Sequence, residues 1–167
     1  MGCVFYALNI IQDSTALSST KANLQASLRY ALDWIVKDVR QSVSWDVANN
    51  KPSSSYIKFR QVQGWDTTAD TFLLSSYYLE YIYDPNAHTI TRRLSDATNN
   101  TLQTWVFHNI TQPPFSTVNS SGTIVALNST DLLTSRVLII QISGETQVNI
   151  HTSTSYTLTG EVKIRNG

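Results

Sequence analysis

Three histidines, one cysteine and a pair of loop aspartates are the side chains here that could hold a metal or activate a nucleophile. His88, His108 and His151 are far apart in sequence, and none stands at metal-ligand spacing from another. A zinc site needs converging ligands, so each histidine is expected to be structural or solvated. His88 falls in a turn. Asp66 and Asp70 share one loop, but calcium wants more oxygen ligands than two carboxylates supply, which makes them turn-formers. Cys3 is the sole cysteine, so an intrachain disulfide and an all-cysteine metal site are excluded. The chain contains no GxSxG, P-loop, GxGxxG, HExxH or CxxC motif. The expectation is therefore a chain with no catalytic residues, no metal and no cofactor, and not an enzyme.

Composition agrees. Of 167 residues, 14% are charged, and 12 basic side chains balance 12 acidic ones. Phosphate binding needs a basic surface, so nucleic acid is not an expected partner. Ser, Thr and Asn replace charge as the polar component, and Asn99, Asn109, Asn119 and Asn128 each open an N-x-Ser/Thr sequon. The Met-Gly-Cys start resembles an acylation signal, but Tyr6 stands where myristoylation wants Ser or Thr. A length of 167 residues fits one domain, taken as 1–167, and 41% hydrophobic residues suffice for a core without staples.

The elements that would position any site are legible from periodicity. Ser14 to Trp45 contains neither Pro nor Gly. At 100° per residue, Leu24, Leu28, Ala31, Leu32, Ile35, Val39 and Val43 form one apolar stripe. Arg29, Asp33, Lys37 and Arg40 form a polar side with two i,i+4 ion pairs. Tyr30, Trp34 and Trp45 fall on a third side, and they are the candidate partner-interface residues. Residues 4–11, VFYALNII, are apolar all round yet too short to span a bilayer, which takes roughly 20 residues. Joined on, they predict a helix over about 4–46.

Beyond it the period becomes two. Residues 49–55 (NNKPSSS) break the chain, and the β-rich part is expected over about 55–166. Strands are expected at 56–62, 71–83 (one or two), 90–94, 102–110, 135–144 and 155–166. Turns fall at 84–89 and 95–100, and the first of these closes a hairpin between 77–83 and 90–94. Residues 111–130, with Pro113, Pro114 and Gly122, read as a long loop with at most a short strand at 123–127. Gly160 suggests a bulge. Helix first and strands after predict an α+β fold: a long N-terminal helix packed across one antiparallel sheet of five to seven strands.

The segment LRYALDWIVKDVRQSV (28–43) resembles the helix of minor type IV pilins and of type II secretion minor pseudopilins. The family pattern, "r-a-l-x-x-i-x-r-D-l-R-q-a", falls here on Ala31, Leu32, Ile35, Lys37, Asp38, Val39, Arg40 and Gln41. YYLEYIYDPNAHTITRRL (77–94) looks like the family's "Y-x-Y-d … t-L-x-R" hairpin, and YTLTGEVKIRN (156–166) is similar to its closing strand. The three matches occur in family order and span nearly the whole chain. The family's leader, cleavage-site Gly and acidic hydrophobic start are not among the 167 residues, nor are the paired C-terminal cysteines of many major pilins.

The resemblance implies a pilin-like fold and a structural, membrane-anchored subunit of a type IV pilus-like or type II secretion filament. It places the protein in the bacterial inner membrane and periplasm or in a cell-surface filament. Val4, Phe5, Tyr6, Leu8 and Ile11 would then be the distal remnant of a membrane or filament-core helix. Partners would be other pilin-like subunits, met through the N-terminal helix, and the inner membrane, met through a preceding hydrophobic segment. The alternative is an extracellular β-rich ligand- or carbohydrate-binding module, in which Trp65, Trp105 and Tyr77 would stack on sugars.

Overall fold

The computed structural model describes residues 2–45, 51–149 and 152–164, with side chains described from residue 15 onwards except at 43, 44, 148, 149 and 152. The elements run α1 (Gly2–Arg40), β1 (Ser42–Ser44), β2 (Tyr56–Asp66), β3 (Thr71–Asp84), β4 (Thr89–Ser95), β5 (Thr101–Phe107), β6 (Phe115–Val118), β7 (Ile124–Ala126), α2 (Ser129–Ser135), β8 (Val137–Asn149) and β9 (Thr152–Lys163). The fold is α+β: one long N-terminal helix packed against antiparallel sheets.

Among the described residues there are two sheets rather than one, in the orders β1-β2-β3-β4-β5 and β7-β6-β8-β9. Their nine strands exceed the five to seven that periodicity suggests. The surplus lies in short pieces with no alternation long enough to read: β1, β6 and β7 have three, four and three residues. The stretch read as a loop after Ile110 holds β6, β7 and α2. The seven-residue helix α2 does carry a local signal, since Asn128 caps it by accepting the Asp131 N–H at 2.9 Å. Arg136, with φ 56°, closes it by donating its N–H to the Leu132 carbonyl at 2.8 Å. Stretch 71–83 is one continuous strand, whose pairing with β2 shifts register between Arg60 and Val62 and again before Gly64.

The helix stripe holds from Leu24 to Val39; Val43 lies on β1, with its side chain outside the described residues. Leu24, Leu28, Ala31, Ile35 and Val39 are buried, and Leu32 packs beside them. With Ile57, Phe59, Leu79, Tyr81, Ile90, Leu138, Ile140 and Ile142 they form one contiguous core. α1 packs most extensively on β8 and β9. Two glycines permit that approach. A Cβ on Gly144 would lie 2.5 Å from the Asn109 carbonyl oxygen and 2.7 Å from Leu28 Cδ2. One on Gly160 would lie 3.0 Å from Val36 Cγ2 and 3.2 Å from Leu32 Cδ1. Gly160 is thus a helix-docking position and not a bulge: it pairs in register with Ile140.

The helix ends at Arg40, short of the expected 46. The backbone of 42–44 is claimed by β2, with Ser42 opposite Gln61 and Ser44 opposite Arg60. The Gln41 carbonyl accepts the Val62 N–H at 2.9 Å, and the Ser42 hydroxyl donates to the Val39 carbonyl at 2.6 Å. Trp45 therefore does not share a helix side with Tyr30 and Trp34. It follows β1, stacks on Phe59 at 5.1 Å between ring centres, and donates its indole N–H to Ser42 Oγ at 2.7 Å. Val4, Phe5, Tyr6, Leu8 and Ile11 lie on the backbone of α1, and their side chains fall outside the described residues. Among the described residues no helix is long and apolar enough to cross a membrane.

Close approach at Gly144 gives a direct test. Gly144→Ala should lower unfolding free energy by about 1–3 kcal/mol, the usual cost of overpacking. Gly64→Ala, whose Cβ would meet only Leu73 Cδ1 at 3.7 Å, should change it by less than about 0.5 kcal/mol. Urea unfolding of the two variants measures both, and equal losses would contradict the helix contact.

Candidate functional site

A single acidic residue on α1 organises the surface where the helix meets the first sheet. Asp38 is buried, and each of its oxygens is used. Oδ2 accepts from the Tyr81 hydroxyl at 2.6 Å and from Arg92 Nε at 2.7 Å. Oδ1 accepts from Gln61 Nε2 at 3.2 Å. Tyr81 and Arg92 are direct partners across β3 and β4, so the pairing register itself brings them under the helix. Burial foremost, then the charge and hydrogen bond of Asp38, push the Tyr81 hydroxyl far above its usual range, so it stays a donor. For Arg92, burial acts to lower the pKa, but the Asp38 hydrogen bond and charge outweigh it and raise it.

Arg92 is also framed by indoles. Its guanidinium carbon lies 4.8 Å from the Trp34 ring centre and 4.4 Å from that of Trp105. The two indoles are stacked with centres 6.4 Å apart, and Tyr30 meets Trp34 and Phe107 edge-on at 6.2 and 6.1 Å. Between α1 and β5 this leaves a cavity of about 210 Å³ lined by Tyr30, Trp34, Arg92, Trp105, Phe107 and His108, among others. A second, shallower concavity of about 450 Å³ runs along the helix itself, over Ala22, Gln25, Ala26, Arg29, Tyr30 and Asp33.

Of the three candidate interface residues, Tyr30 and Trp34 are together and Trp45 is elsewhere. Tyr30 is 58% exposed. Trp34 is half-buried, because the edge of the sheet comes up beside it through Trp105. The aromatics considered for sugar stacking do not share one platform. Trp105 lies across the sheet from Ile57, by way of Arg92 and Tyr81, whereas Trp65 lies eight residues further along β2. At strand spacings of about 4.8 Å and rises of about 3.3 Å that is roughly 30 Å. Trp65 instead meets Phe72 edge-on at 4.9 Å.

The opposite face of the first sheet carries a second charge cluster. Glu80 is 1% exposed and bridges Lys58 Nζ at 2.9 Å and the Arg93 guanidinium, whose Nε donates at 2.7 Å. Lys58 also donates to Asn99 Oδ1 at 2.8 Å, and Ser95 Oγ to Glu80 at 3.3 Å. Burial alone would raise the Glu80 carboxyl, but hydrogen bonds and charge from Lys58 and Arg93 outweigh it and hold it below the usual range. Burial, then Glu80, pushes the neighbouring Tyr56 hydroxyl up to about 12. The cluster sets two cations, Lys58 and Arg93, on one buried carboxylate, with the Ser95 hydroxyl also directed at it.

His88 and His108 are exposed, on neighbouring segments where the Ile110 N–H donates to the His88 carbonyl at 2.9 Å, and His151 lies outside the described residues. No group of three or more metal-ligating side chains converges among the described residues. Asp66 does form its turn, accepting the Thr68 and Ala69 N–H groups at 2.8 and 3.1 Å. The sequons have backbone roles. Asn99 and Asn109 adopt φ of 65° and 63°, Asn119 accepts from the N–H groups of Ser121 and Thr123, and Asn128 caps α2. Sequence reasoning named Trp34 and Trp105 separately but missed Asp38, Tyr81 and Arg92 as a unit. The available signal was Asp38 itself, one position from the buried stripe residue Val39.

Two expectations follow. Asp38→Ala should cost about 3–5 kcal/mol, because it leaves Arg92 buried without its counter-ion. Asp38→Ala with Arg92→Met should recover part of that loss in the same urea titration, and no recovery would mean that packing, not charge, sets the cost. For Glu80 the folded pKa is depressed, so its stabilisation is present above the unfolded carboxyl value and lost as pH falls through the folded one. The stability gap between the wild type and Glu80→Gln should thus be full above about pH 4.3 and close below it.

No family model, no curated protein and no solved structure matches this chain.

Proposed function

We propose that this chain is a pilin-like assembly subunit, a minor pilin or minor pseudopilin of a type IV pilus-like or type II secretion filament. What carries the reading is the unequal use of α1. Its 39 residues extend about 58 Å at 1.5 Å per residue. Among the described residues, burial begins only at Leu24, and Ala16 to Asn23 are exposed or half-exposed. The fold therefore buries the helix from Leu24 onwards and leaves Ala16 to Asn23 to other surroundings. An isolated helix gains little from propensity alone, so a length beyond the domain has its use in contacts outside it.

The small residues of the helix suit that use. Ala22 and Ala26 line the shallow concavity along its exposed side, where small residues let a second helix approach closely. In this reading residues 2–15 continue the helix into the filament core or membrane, and the sheets face the periplasm or the cell exterior. The protein is then a structural part and needs no cofactor.

The test is site-specific photo-crosslinking in the source cell. A photoreactive residue at Ala22 should give crosslinks to other pilin-like subunits in the membrane or filament fraction. The same residue at Ile124, exposed on β7 away from the helix, should give few. Recovery of the protein as a soluble species, with no crosslink from Ala22, would overturn the assignment.

A further inference from the structure

The strand β5 is the outer edge of the first sheet, and it is guarded by neither charge nor Pro. Six of its seven residues, Thr101 to Val106, are exposed. Among the described residues no strand pairs with its outer side. Edge strands present unpaired N–H and C=O groups, and proteins normally blunt them with Lys, Pro, bulges or shortness. The sequence TLQTWVF has no charge and no Pro; its register with β4 shifts at Leu102, between the Gln103–Leu94 and Thr101–Ser95 pairs, and is continuous over Gln103–Phe107. The other sheet edges differ. β1 and β7 have three residues each, and β9 is rich in Ser and Thr and carries Glu161 and Lys163.

Both faces of β5 are apolar at the edge. Leu102 and Val106 are 48% and 44% exposed; Val106 pairs with Thr91, on the face of Arg93, and borders the cavity between α1 and β5. Trp105 and Phe107 point towards the helix and meet Trp34 and Tyr30. The 210 Å³ cavity lies along this edge, between α1 and β5. It is smaller than the roughly 300–1,000 Å³ of small-molecule sites, and it suits one large side chain. Its walls are aromatic, and its one cation is already neutralised by Asp38, so it favours an uncharged aromatic group over an anion.

We infer that β5 is a strand-addition site: an extended, uncharged segment of a different subunit pairs with its outer edge and places one aromatic side chain in the cavity between α1 and β5. Main-chain hydrogen bonds supply the affinity and the pocket supplies the choice of side chain. Apolar residues flanking that aromatic cover Leu102 and Val106. The choice of a different subunit rests on the proposed function. Antiparallel self-pairing about Thr104 would turn a second copy by a half-rotation normal to the sheet. Its α1 would then leave in the opposite direction, which two helices entering one membrane or filament core do not do. Head-to-tail addition through β1 offers only three residues.

The test uses the whole chain and a synthetic probe, a lysine-flanked peptide with core Thr-Thr-Val-Tyr-Val-Thr-Thr and blocked ends. It should bind saturably and protect β5 amides from hydrogen exchange. Replacing its Tyr by Ala, methylating alternate backbone amides, or making Val106→Lys in the protein should each weaken binding by at least about tenfold. Val106→Lys should leave the melting temperature unchanged, since the side chain is exposed. Equal binding of the methylated peptide, protection elsewhere than β5, or no saturation by about 1 mM would overturn the inference. So would a homodimer of the chain that protects β5 and is lost in Val106→Lys, because the edge would then belong to a second copy. Peptide binding is read on the isolated protein and the Ala22 crosslinks in the cell, so either idea can fail without the other.

Discussion

The Asp38 carboxylate is the constraint on which the arrangement of helix and first sheet depends. Apolar contacts between a helix and a sheet are non-directional, and the stripe from Leu24 to Val39 could slide or rotate with modest loss. A buried carboxylate with donors from β2, β3 and β4 allows no such freedom. Gln61, Tyr81 and Arg92 reach it from three neighbouring strands. A small shift of the helix would strand one or more of these groups in the core, where an unpaired charge costs several kcal/mol. Hydrophobic burial holds α1 down, and the carboxylate fixes its register.

The same ion pair shapes the surface beside it. Because Asp38 holds Arg92 by Nε, the guanidinium stays at the sheet face, where Trp34 and Trp105 can close on it. The helix is fixed independently on the second sheet, through the bare backbone at Gly144 and Gly160. One attachment is polar and directional, and the other is steric. Between them α1 joins two sheets that share its core and are also tied through 110–115, where the Ile110 N–H donates to the His88 carbonyl and the Thr111 N–H to the Ser143 carbonyl.

Much of this was legible in the sequence, and the limits are instructive. The helix and its stripe came from a 3.6-residue period sustained over Leu24–Val39, and the hairpin turned on Asp84, which accepts the Asn86 N–H at 2.8 Å as an Asp-Pro-Asn turn requires. What failed was non-local. The helical period runs on through Val43 and Trp45, but β2 captures the backbone there, and no pattern within 41–45 reveals that competitor. The second sheet was hidden because β6 and β7 are too short to alternate. The Asp38 network was hidden for another reason. Its partners lie 23, 43 and 54 residues away, and only the register of three strands brings them together.

The distribution of charge ties the interior to the uncharged edge. The chain has few charged residues, and four of them, Asp38, Lys58, Glu80 and Arg92, are buried in its two networks. Charges used to fix the sheet are not available to protect its border. At zero net charge, long-range repulsion does little to keep copies apart. A freely diffusing monomer with a neutral edge strand and exposed Leu102 and Val106 would be prone to association. The same features suit a chain held in one place and one orientation among few neighbours, where the contacts it can make are limited by geometry rather than by repulsion.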